Sequence, residues 1–185
     1  MADVQDTVLT LKQIEDIFFA ETCKMLGLDP TLPENQGKVR FAWPTDGSPG
    51  WSIDEDIVFL RITPIDDKIA RPQDILYDTN ASDYALKEVA YTRVHKIDWT
   101  LYGPSSYDNA DLIRYNILSS KYLNDFRAYN LFLITDVTMP VRLPELFNGQ
   151  WWERTDFQAS YNELVIRRSQ IPYFVNTDIK LITSR

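Results

Sequence analysis

Two long runs of alternating residues constrain the fold of this chain more than any other feature. The first run is residues 87–102 and the second is residues 150–168. Successive side chains of a β-strand point to opposite sides, so each run predicts a strand with one apolar face. These faces consist of Val89, Tyr91, Ile97, Trp99 and Leu101 in the first run, and of Trp151, Phe157, Ala159, Tyr161 and Val165 in the second. Strands of about 15 residues exceed the usual five or six, so we expect them to protrude as an extended hairpin or to bend between layers.

Shorter segments predict the remaining strands. Residues 56–63 are apolar on both faces, which indicates a central strand of a sheet. Residues 37–43, 130–135 and 171–183 have the composition and alternation of further strands. Pro140 and Pro144 bracket a linker between residues 130–135 and the second long run.

Two segments predict helices. In residues 10–27, Thr10 and Gln13 fit a capping box, and Gly27 can end the helix in the left-handed conformation. In residues 105–127, Ser106 or Asp108 can cap the start, and a break is expected near residues 119–120. The apolar stripes consist of Leu11, Ile14, Ile17, Phe18 and Met25 in the first helix, and of Ala110, Ile113 and Ile117 in the second.

The order helix, strands, helix, strands predicts an α+β fold. We expect a mainly antiparallel, partly extended sheet packed against two or three helices. With 185 residues, 44% of them hydrophobic, the chain can bury one sizeable core, so residues 1–185 are expected to form a single domain. Residues 64–83 have no clear period, and the long loop at about 64–86 is therefore a candidate excursion for assembly.

Charge and cysteine content exclude several classes of function. A net charge of −8 makes the chain a poor candidate for gripping the DNA backbone, where Lys and Arg supply most of the affinity. A single cysteine, Cys23, excludes an intramolecular disulfide framework and a cysteine-cluster zinc site, and its helical context predicts a buried thiol. Asp3 and Asp6 stand where a secretory signal would carry positive charge, so no such signal is predicted. No segment approaches the roughly 20 apolar residues that a membrane span needs, so none is predicted. We expect a soluble protein made in a cytoplasm, without a membrane association or a cofactor.

No catalytic constellation stands out. His95 is the only histidine, and it interrupts an apolar strand face together with Arg93, which favours a packed or hydrogen-bonded structural role. Two groups of carboxylates, Asp54, Glu55 and Asp56 and then Asp66 and Asp67, could bind Mg²⁺ or Ca²⁺. Their spacing is unspecific, and charge runs in loops are usually solvated. A metal-dependent hydrolase stays an alternative, but no metal site is predicted.

The adjacent tryptophans Trp151 and Trp152 follow the turn-forming pair Asn148-Gly149. The alternation assigns Trp151 to the core face and Trp152 to the opposite face with Arg154 and Asp156, where it needs a cover. Exposed tryptophans are typical of protein interfaces, with a glycan-binding platform as the rival interpretation. The candidate assembly interface consists of Trp43, Trp51, Trp152 and Arg154.

Three stretches together resemble a known family. They are RFAWPTDGSPGWSIDEDIVFLRITPIDD (40–67), WTLYGPSSYDNADLIRYNI (99–117) and LPELFNGQWWERTDFQASYNELV (143–165). They are similar to neck or tail terminator proteins of tailed bacteriophages and prophages. The resemblance covers roughly residues 35–180, and the most distinctive patterns are W-P-T-D-G-x-P-G-W and F-N-G-Q-W-W-E-R.

The resemblance implies a structural virion protein of the tail or neck, not an enzyme, assembled in the bacterial cytoplasm. Such proteins form rings, typically hexameric, that stop growth of the tail tube and contact both the tail tube protein and the head-tail connector protein. DNA passes through the ring without specific binding, and the candidate acidic lumen residues are Asp54, Glu55, Asp56, Asp66 and Asp67. Another neck or baseplate adaptor protein is the alternative within the same class.

Overall fold

The structure, a computed structural model, describes residues 6–43, 50–79 and 84–172. Within these ranges there are three α-helices, one short 3₁₀-helix and nine strands. The helices are α1 (Leu11–Met25), α2 (Ser106–Leu118) and α3 (Ser120–Arg127), with the 3₁₀-helix at Pro33–Asn35. The strands are β1 (Val39–Phe41), β2 (Ile57–Ile65), β3 (Gln73–Asp78), β4 (Ala85–Tyr102), β5 (Leu131–Ile134), β6 (Val141–Arg142), β7 (Glu145–Phe147), β8 (Gln150–Trp152) and β9 (Arg154–Ile171).

Seven of these strands form one sheet and the other two form a separate hairpin. The main path of the sheet is β1-β2-β4-β9-β5, with β3 added to β4 and β6 added to β9. The pairing of β1 with β2 is parallel, and the other described pairings are antiparallel. The hairpin consists of β7 and β8. The α+β fold with a mainly antiparallel sheet is therefore confirmed.

The two long strands are partners of each other. β4 and β9 each have 18 residues and pair antiparallel over their whole length, from Ala85 opposite Ile171 to Tyr102 opposite Arg154. One half of this ribbon is flanked by β2 on one side and by β5 and β6 on the other. The other half carries β3 beside residues 86–91 of β4, and Thr7 forms an isolated bridge with Ile166 of β9. The expected long strands thus extend the sheet beyond its helix-covered half.

The core lies between the helices and one face of the sheet. Phe18 of α1 is fully buried and its ring contacts those of Trp99, Phe126 and Tyr161, at centroid distances of 4.9 to 6.4 Å. The indole N–H of Trp99 donates to the Thr22 hydroxyl at 3.1 Å, so the buried polar group is satisfied. Ala110, Ile113 and Ile117 of α2 are fully buried, as their spacing predicted.

The ends of the helices follow the sequence signals only in part. The Thr10–Gln13 capping box of α1 is present, and Gly27 has a positive φ of 67° just after the helix. Leu11, predicted to join the apolar stripe, is instead 50% exposed at the first helical position. The predicted side-chain cap of α2 was wrong, because Ser105 takes the N-cap position and makes no such hydrogen bond. The expected break is confirmed at Ser119, which separates α2 from α3.

Two segments differ from the predicted assignment. Residues 64–83, which showed no period, contain the end of β2 and all of β3. β3 escaped prediction because Ile75, Leu76 and Tyr77 are consecutive apolar residues and give no alternation. The predicted strand 171–183 lies outside the described residues except at its beginning, where β9 ends.

Candidate assembly surface

The sheet has a second face that the helices do not cover. Because side chains alternate, the residues next to the buried Ile97, Trp99 and Leu101 point away from the helices. The salt bridge between Arg61 and Asp98, at 3.0 Å, lies on this side. At one end of the same face, four aromatic rings meet. We call this group the aromatic cluster: it consists of Trp51, Phe59, Tyr102 and Trp152.

The aromatic cluster brings together two of the predicted interface tryptophans. The ring of Trp51 lies 6.0 Å from that of Trp152, 5.1 Å from Phe59 and 5.6 Å from Tyr102. A cavity of about 350 Å³ opens beside these rings and is also lined by Gly50, Glu145 and Phe147. The indole nitrogens of both tryptophans are buried and have no hydrogen-bond partner in the part of the chain that is described.

A short electrostatic chain fixes one wall of the cavity. The Tyr102 hydroxyl donates to Glu145 at 2.9 Å, and burial together with this bond raises the pKa of Tyr102 to about 12. Arg154 donates to both carboxylate oxygens of Asp156 at 2.8 and 2.7 Å and lies 3.3 Å from Glu145. Its guanidinium is 5.9 Å from the ring of Tyr102. Arg154 therefore ties the hairpin residue Glu145 to the sheet.

The hairpin of β7 and β8 reverses the predicted roles of the adjacent tryptophans. Asn148 and Gly149 have φ values of 50° and 75°, as expected for a tight turn that needs two positive φ angles. In the resulting register Glu145 is opposite Trp152, and Leu146 is opposite Trp151. Trp152 faces the cavity and contacts Phe147 and Trp51, whereas Trp151 is 67% exposed.

The assignment of Trp151 to the core was therefore wrong. Glu153 lies between β8 and β9 and belongs to neither strand. Residues 150–168 are therefore not one continuous strand, and the alternation of Phe157, Ala159 and Tyr161 cannot be extended back to residue 151. The cover expected for Trp152 comes from within the chain, from Trp51 and Phe147.

Trp43 and Arg154 line a second depression on the same face. This groove of about 450 Å³ is also lined by Met139, Val141 and Leu143. Trp43 is 73% exposed, and its ring lies 5.9 Å from the guanidinium carbon of Arg61. All four predicted interface residues thus lie along the helix-free side of the sheet.

Sequence reasoning missed most of the apolar residues beside these tryptophans. Their exposed members are Met139, Val141, Leu143, Leu146 and Phe147. Together with Trp43 and Trp151 we call them the apolar rim. One signal was available in the sequence: the linker that Pro140 and Pro144 bracket is rich in apolar residues, whereas a solvated loop would carry mostly polar ones. Clusters of exposed apolar side chains of this kind mark interaction surfaces.

The two acidic groups are not brought together. They lie at opposite ends of β2, whose nine residues span about 30 Å. Asp56 accepts from the Ser105 N–H at 2.9 Å and Glu55 from the Ser52 N–H at 3.1 Å. Asp66 pairs with Arg71, and Asp67 accepts from the Ile69 N–H at 2.8 Å. Four of these five carboxylates thus organise local loops.

His95 takes part in a buried polar network, which confirms its predicted hydrogen-bonded role. Its Nε2 lies 2.8 Å from Glu163, which is 1% exposed and also accepts two bonds from Arg93. Glu163 accepts a further bond from the Leu9 N–H at 2.9 Å. Burial raises the pKa of Glu163, but the bonds from His95, Arg93 and Leu9 outweigh it and lower the pKa to about 2.

The described residues also bear on the predictions for the cysteine, for metal binding and for membrane spans. Cys23 is buried as predicted, and burial raises the pKa of its thiol to about 11. No metal-binding group of three or more His, Cys, Asp or Glu side chains occurs in residues 6–43, 50–79 and 84–172. None of the helices in these ranges is long and apolar enough to cross a membrane.

The helix-free side of the sheet thus presents exposed apolar side chains, a property that is typical of interaction surfaces. Comparison with known proteins assigns the class: a sequence model of the family described as phage neck terminator protein matches residues 12–184. The chain therefore belongs to the phage neck terminator family and is a structural component of the phage neck. No curated protein matches the sequence significantly.

Proposed function

We propose that this chain forms a closed, typically hexameric ring at the head-proximal end of a phage tail. The ring ends the tail tube and joins it to the head connector. The observation that carries this proposal is the family match, which spans almost the whole chain. A closed ring needs a heterologous interface, in which one surface of a subunit contacts a different surface of the next. Each subunit then presents one end to the last layer of the tube and the other to the connector.

The apolar rim supports a role in these contacts. Seven large apolar side chains are exposed on or beside one face of the sheet, and two of them are tryptophans. A tryptophan buries a large area with little loss of conformational entropy and is enriched among residues that dominate binding energy. We assign this surface to the tail tube protein or the connector protein, with Trp43, Trp51, Trp152 and Arg154 as its organising residues.

The negative net charge of the chain suits a channel through which DNA must move. With a net charge of −8 on each subunit, the ring would repel a polyanion and not bind it. Asp54, Glu55, Asp56, Asp66 and Asp67 are the candidate lumen and loop residues, although most of them also fix local turns. In this proposal residues 1–185 act as a single domain without a cofactor or a catalytic role, and the ring is assembled in the host cytoplasm.

The proposal is tested by adding the purified chain to growing tail tubes and following tube length by negative-stain microscopy. We expect elongation to stop, with a ring at one end of each tube. The contact surface is tested by the double variant Leu146→Ser/Trp151→Ser, which alters two exposed side chains that face away from the cavity. It should remain folded and cap tubes less well. Tubes that elongate unchanged in the presence of the unmodified chain would contradict the proposal.

A further inference from the structure

The outer edge of β3 has the properties of a docking strand. All six residues of Gln73–Asp78 are exposed, and β3 pairs only with β4 among the described residues. Ile75, Leu76 and Tyr77 are 46%, 65% and 60% exposed and, being consecutive, occupy both faces of the strand. Proteins usually protect an edge strand with lysine, proline or a bulge, and β3 contains neither lysine nor proline.

The opposite edge of the same ribbon already holds an extended segment. Thr7 exchanges two backbone hydrogen bonds with Ile166 of β9, at 2.8 and 2.9 Å. Asp6 accepts from the Arg168 N–H at 2.9 Å and forms a salt bridge of 3.0 Å with Arg167. We call residues 6–8 the strap. At its end, Leu9 is anchored by Glu163 and Arg93.

The strap shows what the β9 edge accepts, namely an extended segment that carries an aspartate toward Arg167. β3 is likewise extended and carries an exposed aspartate, Asp74, directly before Ile75, as Asp6 directly precedes Thr7. Three hydrogen bonds hold the strap on β9: two join the backbones of Thr7 and Ile166, and one runs from the Arg168 N–H to Asp6. The half-exposed ion pair between Asp6 and Arg167 adds a fourth contact. Such contacts are weak individually, so a competing strand can replace them.

We propose that β3 of one copy of this chain pairs antiparallel with the β9 edge of the next copy, at residues 165–168, and displaces the strap. The contact joins two different edges and is therefore heterologous, as a ring requires. Asp74 replaces Asp6 beside Arg167, and the ribbon β3-β4-β9 becomes continuous between neighbouring copies. The strap competes with assembly in the isolated subunit. This inference rests on the proposed ring and identifies the surfaces that form it.

Charge-reversal variants at single positions of the 185-residue chain test the pairing. Ring formation is measured by mass photometry over a concentration series, and on isolated tail tubes by negative-stain microscopy. Asp74→Arg should raise the half-assembly concentration about fivefold, because two arginines then face each other. Arg167→Asp should raise it less, because the new aspartate repels Asp6 of the strap as well as Asp74. The double variant should return to within about threefold of the unmodified chain. Circular dichroism and thermal melting of each variant exclude unfolding as the cause.

A variant of the strap should change the half-assembly concentration in the opposite direction. Asp6→Arg repels the strap from Arg167 and should lower the half-assembly concentration about threefold, because β3 then meets less competition. With Asp74 beside Arg167, the antiparallel register of the strap places Ile75 opposite Ile166. Oxidation of an Ile75→Cys/Ile166→Cys variant, with Cys23 changed to alanine, should therefore give covalently linked copies in the assembled state. Rings that form normally in all charge variants and yield no cross-link would overturn the pairing while leaving the ring intact. If the unmodified chain forms no ring on tubes either, the proposed function itself fails.

Discussion

Gly103 shows how one residue fixes the start of the helical layer. It follows β4 with a φ of 110°, a conformation that side chains rarely adopt. A Cβ at this position would lie 2.6 Å from the backbone oxygen of Glu55 and 2.8 Å from the Cα of Asp56. The glycine thus allows the 55–56 loop to approach, so that Asp56 can accept from the Ser105 N–H before α2 begins.

We predict that Gly103→Ala lowers the free energy of unfolding by about 2–4 kcal/mol, from backbone strain and the clash together. The matched control is Gly149→Ala, since Gly149 also has a positive φ, of 75°, but has no neighbour within 4 Å of the added Cβ. The control should cost about 1 kcal/mol, from strain alone. Urea denaturation measures both values, and equal costs would contradict the role assigned to the close approach.

Glu163 makes part of the stability depend on acid pH. Its folded-state pKa, about 2, lies below the ordinary value of 4.5, so the carboxylate stabilises the fold fully above about pH 4.5. This contribution is lost as the pH falls from about 4.5 to about 2. For a shift of this size it is on the order of 3 kcal/mol.

The Glu163→Gln variant has no carboxylate at this position to protonate. Its free energy of unfolding should therefore fall less between about pH 5 and pH 2 than that of the unmodified chain. The control is Glu34→Gln, at an exposed position of the 3₁₀-helix, which should keep the original pH profile. Chemical denaturation at several pH values measures the difference. Parallel profiles for Glu163→Gln and the unmodified chain would show that the network does not depress this pKa.

At the scale of the elements, the β7–β8 hairpin separates the two adjacent tryptophans. Trp151 points outward beside Leu146, and Trp152 packs on Trp51 and Phe147. The two residues should therefore respond differently to truncation, since only one of them contributes to the packing of the subunit.

We predict that Trp151→Ala changes the free energy of unfolding by less than about 0.5 kcal/mol but weakens binding to tail components about tenfold or more. Trp152→Ala should cost about 2 kcal/mol of stability as well, because it empties part of the aromatic cluster. Tyr115→Ala, at a 70% exposed aromatic residue of α2, is the control and should change neither. If Trp151→Ala binds as well as this control, the hairpin face is not part of the contact.

The sequence predicted the elements whose apolar pattern is regular, and it failed where neighbouring elements impose the structure. The capping box, the Asn148-Gly149 turn and the two long strands depend on local signals and were predicted. β3 has no local period, because it is exposed on both faces and ordered by its pairing with β4. Trp151 was misplaced because one residue between β8 and β9 restarts the alternation. The aromatic cluster joins residues from four segments, and only the fold brings them together.

In the proposed assembly, the whole molecule is a scaffold with separate contact surfaces. One half of the β4–β9 ribbon carries the core and the apolar rim, and the other half carries the β3 edge and the strap. A ring needs both kinds of surface, lateral edges for its own copies and a further face for the tube or the connector.

Cryo-electron microscopy of isolated tails tests the central claim most directly, because it gives the position and symmetry of the chain together. We predict one closed ring of this chain per tail, at the end that meets the head, with density continuous between the β3 edge of each copy and its neighbour. The chain located along the tube, or at the distal end as expected for a baseplate adaptor, would contradict it.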